Sequence, residues 1–86
     1  MYLHIINKKC SEFYLKLNGE DNNYYYLALN SSSPEHPEYK LLEELGVKPY
    51  YAEFTPYGYH DYDYKIPKDK LFEMSKECQT LAFCEI

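Results

Sequence analysis

Apolar and polar residues alternate with a period of two in four separate stretches of this chain. Successive side chains on a strand point to opposite sides of a sheet, so these stretches specify strands with two distinct faces. From Tyr2 to Ile6, Leu3 and Ile5 share one face and Tyr2, His4 and Ile6 the other. Apolar groups on both faces mark a central strand. From Glu12 to Leu17 the division is cleaner, with Phe13, Leu15 and Leu17 set against Glu12, Tyr14 and Lys16. Tyr25, Leu27 and Leu29 alternate with Tyr24, Tyr26 and Ala28 in the third stretch. From His60 to Ile66, Tyr62, Tyr64 and Ile66 point inward and Asp61, Asp63 and Lys65 outward. Asn18 to Asn23 reads as a turn, with Asn18-Gly19 supplying positive φ angles. The first three strands then form an antiparallel meander.

Helical spacing appears twice. Ser33 is a good N-cap, Pro34 suits a first helical position, and Leu41, Leu42 and Leu45 follow as a narrow apolar stripe that Gly46 terminates. Pro67 ends the His60 strand and opens a second helix, with Asp69 in its first turn and Leu71, Met74, Ser75 and Cys78 on one side, widened by Phe72. Val47 to Phe54 is extended, and Pro49 confines it to an edge or to a strand's beginning. Thr55 to Gly58 is a turn, and Leu81 to Ile86 is a last strand whose apolar end ties into the sheet. The predicted fold is α+β, a mainly antiparallel sheet in the order β-β-β-α-β-β-α-β with two short helices on one face.

The 86 residues suffice for one core and one domain, residues 1–86, which buries roughly 60–65% of its unfolded surface. No linker, repeat or low-complexity tract marks a second unit. Nine lysines against fourteen acids give a formal charge of −5, and arginine and tryptophan are absent. Arginine supplies bidentate phosphate and guanine contacts, so its absence disfavours direct nucleic-acid binding. The start of the chain lacks the basic region and long apolar run of an export signal, and no stretch of eighteen apolar residues occurs. Scattered Cys10, Cys78 and Cys84 fit reduced thiols acting as small core hydrophobes. A soluble cytoplasmic protein with no membrane partner is predicted. Lysine as the sole strong base, beside abundant Tyr, Asn, Ile and Glu, fits an AT-rich genome such as that of a low-GC bacterium or its phage.

Catalytic and metal chemistry find no pattern. His60 and Asp61 are neighbours on a strand and so point apart, His4 and His36 stand alone, and no nucleophile, base and orienting group share a spacing. The cysteines and histidines show no ligand spacing, and Gly19, Gly46 and Gly58 build no phosphate loop. No enzyme, metal or cofactor is predicted.

Twelve tyrosines exceed what a plain domain of this size needs. Tyrosine gives a large rigid contact surface with a polar end and little entropy to lose, which suits binding faces. Tyr14, Tyr24, Tyr26, Tyr57 and Tyr59 are expected outside, beside Glu53, Asp61 and Asp63. These eight residues are the candidate partner-binding face, acidic and aromatic together, and its complement is a protein with a basic surface. The leading reading is a small interaction protein that inhibits a nucleic-acid-binding protein or enzyme by occupying that surface. In size, acidity and lack of a catalytic set it resembles in a general way the small inhibitors that phages make against host defence systems, including anti-CRISPR proteins. That resemblance is compositional and carries no motif. The alternative is a nucleotide-signal or small-molecule sequestering protein that stacks bases between tyrosines, its pocket completed in a homo-oligomer. An enzyme with His60 or His4 as base and Cys10 as nucleophile ranks third.

Overall fold

A computed structural model describes residues 1–33 and 35–85. Strands β1 (Tyr2–Asn7), β2 (Glu12–Lys16), β3 (Gly19–Glu20) and β4 (Tyr24–Ser31) lead to helix α1 (Pro37–Glu44). Strands β5 (Tyr51–Phe54) and β6 (His60–Pro67) follow, then a 3-10 turn (Lys68–Lys70), helix α2 (Leu71–Lys76) and strand β7 (Cys78–Cys84). The α+β order read from the sequence holds, with β3 as an added short strand. The strands form two antiparallel sheets, β2-β1-β7 and β3-β4-β6-β5. β1 is central, as its two apolar faces required, and β5 is an edge strand that begins two residues after Pro49.

The chain passes between sheets where a turn was expected. Leu17 N–H donates to Met1 C=O in the first sheet at 2.9 Å, and Asn18 N–H donates to Tyr26 C=O in the second at 2.9 Å. Residues 12–20 thus act as one bent strand serving both sheets. Gly19 is extended, and positive φ falls instead at Cys10 (66°), Gly46 (79°) and Gly58 (87°). The turn proper is Asp21 to Tyr24, held by the Asp21 carboxylate accepting from the Asn23 and Tyr24 N–H groups, each at 2.8 Å.

One core joins the sheets. Leu3, Ile5, Leu15 and Leu17 from the first sheet meet Leu27, Tyr64 and Ile66 from the second, and α1 (Leu41, Leu42) and α2 (Met74) complete it. Tyr25 of β4 packs against Phe83 of β7 with ring centroids 4.9 Å apart, a second tie between the sheets. Strand β7 pairs with β1 from Tyr2 opposite Cys84 to Ile6 opposite Thr80, so the last strand lies beside the first.

Helix α1 begins one turn later than expected. His36 is its N-cap, its ring Nδ1 accepting from Glu38 N–H at 3.4 Å, and Pro37 holds the first position. Ser33 instead closes the preceding turn, its Oγ accepting from Glu35 N–H; Pro34, expected to open the helix, lies outside the described residues. The stop is as read: Gly46 N–H bonds Glu43 C=O and Val47 N–H bonds Leu42 C=O, a Schellman end in which buried Val47 and Leu42 meet in the core. Phe72, expected to widen the buried side of α2, is 70% exposed, and Cys78 belongs to β7. The tie expected at Ile86 also lies outside the described residues. No helix among the described residues is long and apolar enough to cross a membrane.

Candidate functional site

Register decides which tyrosines and acids share a surface. Leu27 and Tyr64 are opposite one another and buried, so the intervening positions face away from the core: Tyr24, Tyr26, Ala28 and Asn30 on β4, and Asp61, Asp63 and Lys65 on β6. On β5, Tyr51 pairs with Asp63 and Glu53 with Asp61, so both belong to the same outer face. This face of the second sheet brings together five of the eight expected residues, Tyr24, Tyr26, Glu53, Asp61 and Asp63. Tyr59 extends the β6 row and is 44% exposed, while Tyr57 stands at the hairpin tip at 87%. The hairpin is fixed by Thr55, whose N–H donates to Tyr59 C=O and whose Oγ1 accepts from Tyr59 N–H.

Tyr14 is the residue the fold sets apart. It lies on β2, in the other sheet, stacked parallel on His4 at 4.4 Å, and the His4 ring Nε2 is 2.9 Å from the Glu12 carboxylate. His4, Tyr14 and Glu12 form a separate cluster outside the first sheet.

Side chains on the second sheet are held in place. Asn30 donates to Asp61, and the Tyr51 hydroxyl donates to Glu53 at 3.1 Å. Donation to that carboxylate raises the pKa of the Tyr51 hydroxyl above its ordinary range. The Tyr26 hydroxyl donates to Asp21, which pushes Tyr26 up from 10 to about 12. The same bond, helped by the Asn23 and Tyr24 amides, holds the Asp21 carboxyl below its usual range. Lys65 is the cation of this face, and it sits over the Tyr24 ring at 4.9 Å and the Tyr50 ring at 5.5 Å. Among the described residues, no ion pair involves Glu53, Asp61 or Asp63.

Glu53 and Asp61 are therefore directly opposite each other, like-charged and unpaired with any cation. Directly opposed like charges destabilise a sheet, so this arrangement costs the fold something and is the sharpest feature of the surface. No known protein family, curated protein or solved structure matches this chain. Its chemistry is read from the residues themselves.

Tyr50, Tyr51, Asn30, Asp21 and Lys65 belong to the site and were not among the eight expected. Alternation on β5 could have supplied Tyr51, which shares a side with Glu53 by spacing alone. Lys65 over Tyr24 needed the β4 to β6 pairing, which local sequence does not encode.

The remaining candidates lie apart. His60 packs on Phe54 at 4.8 Å at the rim of the second sheet. Cys10 is exposed at the β1 to β2 turn, not buried as the cysteine reading expected, and its Sγ accepts from the Gln79 amide at 3.1 Å. Among the described residues, no group of three His, Cys, Asp or Glu side chains could hold a metal ion. On the inner side, a cleft of about 440 Å³ is lined by Tyr39, Glu43, Val47, Lys48, Pro49, Tyr62 and Tyr64. Tyr39 packs at a tilt against Tyr62, ring centroids 4.6 Å apart, and donates its hydroxyl to the His60 carbonyl at 2.6 Å.

Proposed function

We propose that this protein binds a basic protein surface through the outer face of its second sheet and blocks what that surface does. The observation that carries the reading is the unpaired, mutually opposed Glu53 and Asp61, extended by Asp63 and flanked by Tyr24, Tyr26, Tyr51 and Tyr59. A partner's lysines or arginines relieve that repulsion, and the tyrosines supply contact area at low entropic cost. Surfaces that are basic because they contact nucleic acid are the natural targets, and the proposed role is that of a small inhibitor of a nucleic-acid-binding protein or enzyme. A phage product directed at host defence fits this description.

The test is capture of proteins from a cell extract on the immobilised chain. Binding is expected to fall steeply between low and high salt, and to be lost when Glu53→Gln, Asp61→Asn and Asp63→Asn are combined. A control with Glu43→Gln and Glu44→Gln on α1 should bind as the parent does. The triple variant should also be at least as stable as the parent, since removing one opposed like-charge pair is worth about 0.2–1 kcal/mol. Capture that persists in high salt, or that the α1 variant loses equally, overturns the reading.

The inner cleft favours a second reading, a small-molecule binder. Its volume and three tyrosines suit a planar ring, but Lys48 stands beside Glu43, so the lining offers no net positive charge for a phosphate. An uncharged aromatic ligand that raises the melting temperature would support it.

A further inference from the structure

Strand β5 is the one strand longer than two residues in which every described residue is exposed. It is an edge, so one row of its backbone groups faces outward. Which row follows from the hairpin: Thr55 N–H reaches Tyr59 C=O at 2.7 Å, so Thr55 points toward β6, and with it Glu53 and Tyr51. Alternation then turns the N–H and C=O of Ala52 and Phe54 outward. Among the described residues, no hydrogen bond beyond the sheet itself uses these two amides. Natural edges are commonly blunted by lysine, proline or a bulge, but Tyr51-Ala52-Glu53-Phe54 contains no lysine or proline. Pro49 and Pro56 lie just outside it and bound the open edge at about four residues.

We infer that β5 accepts a strand from the partner, which joins the second sheet as its fifth strand. This rests on the basic-partner reading above and adds the mode of docking. The two sides of the edge state what the strand carries. On the outer side Glu53, backed by Asp61, calls for lysine or arginine; on the other, Phe54, 66% exposed and packed at a tilt against His60, calls for apolar side chains. The occupant is therefore an extended segment in which basic and apolar residues alternate. Main-chain hydrogen bonds at Ala52 and Phe54 give the affinity, and the side chains give the choice of partner. A second copy of this chain is the poorer occupant, because a continuous sheet would bring the acidic outer faces of two chains of charge −5 side by side.

The probe is a synthetic heptapeptide of alternating lysine and valine, titrated into the full chain with backbone amides followed by NMR. The expected result is shifts and slowed exchange concentrated at Ala52 and Phe54. Ala52→Pro, which removes an outward N–H that the fold does not use, should weaken the peptide roughly tenfold, about the worth of one or two hydrogen bonds. Ala52→Val, which keeps the N–H, should leave binding unchanged. Should the proline variant fail to fold, the exchange rates of the parent decide the question alone. Salt-sensitive binding that moves Asp61 and Asp63 but leaves the Ala52 and Phe54 amides unprotected overturns strand addition and leaves the acidic-face reading standing. A peptide that does not bind also overturns it, while the capture experiment judges the acidic face separately. Protection of these amides without peptide, with a doubled solution mass, assigns the edge to self-pairing and likewise overturns the inference.

Discussion

Single hydroxyl groups report two different physical environments in this protein. Tyr26 and Tyr64 are both pushed up to about 12, Tyr26 chiefly by its bond to the Asp21 carboxylate and Tyr64 chiefly by burial. A tyrosine whose pKa is raised in the folded state stabilises that state fully below pH 10, and the contribution is lost as pH rises through 12. Stability is therefore expected to fall between those values. Tyrosinate absorbance against pH separates the two causes: Asp21→Asn should return Tyr26 toward 10 and leave Tyr64 where it is. A variant that moves both, or neither, contradicts this assignment. Asp21 acts in the opposite limb, since its depressed carboxyl stabilises the fold above its ordinary 3.8 and stops doing so as pH falls through its lowered value.

At the scale of elements, α1 depends on its ends as well as on its apolar side. Gly46 sits at φ 79°, and a Cβ there would lie 3.2 Å from the flexible Lys70 ammonium, so the backbone conformation sets the cost more than the space does. Gly46→Ala is expected to cost about 1–2 kcal/mol in urea denaturation; no loss would show that the Schellman end is dispensable. The Leu41, Leu42 and Leu45 stripe and its glycine stop were legible because both are local patterns. The start was harder, since Ser33-Pro34 and His36-Pro37 each satisfy the rules for a helix start. A helix begun at Pro34 would put Pro37 at its fourth position, where the first intrahelical hydrogen bond needs an N–H. That argument was available from sequence and favours the observed start. The strands were read from alternation, and with them the outward placement of Asp61, Asp63, Tyr24 and Tyr26. Alternation alone groups Tyr14 with them, because residues 18–23 read as a turn within one sheet. The change of sheet at Leu17 and Asn18 depends on pairing with Met1 and Tyr26, and no local pattern announces it.

For the molecule as a whole, two sheets with one core should behave as one cooperative unit. Leu27→Ala removes a buried side chain of the second sheet and is expected to cost about 2–5 kcal/mol. The loss should lower the urea midpoint measured at Ile5 in β1 and at Ile66 in β6 by the same amount, followed through their amide signals. Separate midpoints would mean that the bent strand and the Tyr25 to Phe83 contact do not couple the sheets. The pairing of β7 with β1 carries a further implication, for the order of events during synthesis. Strand β1 is made some seventy residues before its neighbour β7, so a nascent chain lacking residues 78–84 cannot complete the first sheet. Leu3 and Ile5 must wait beside a vacant edge until translation of the whole stretch is over.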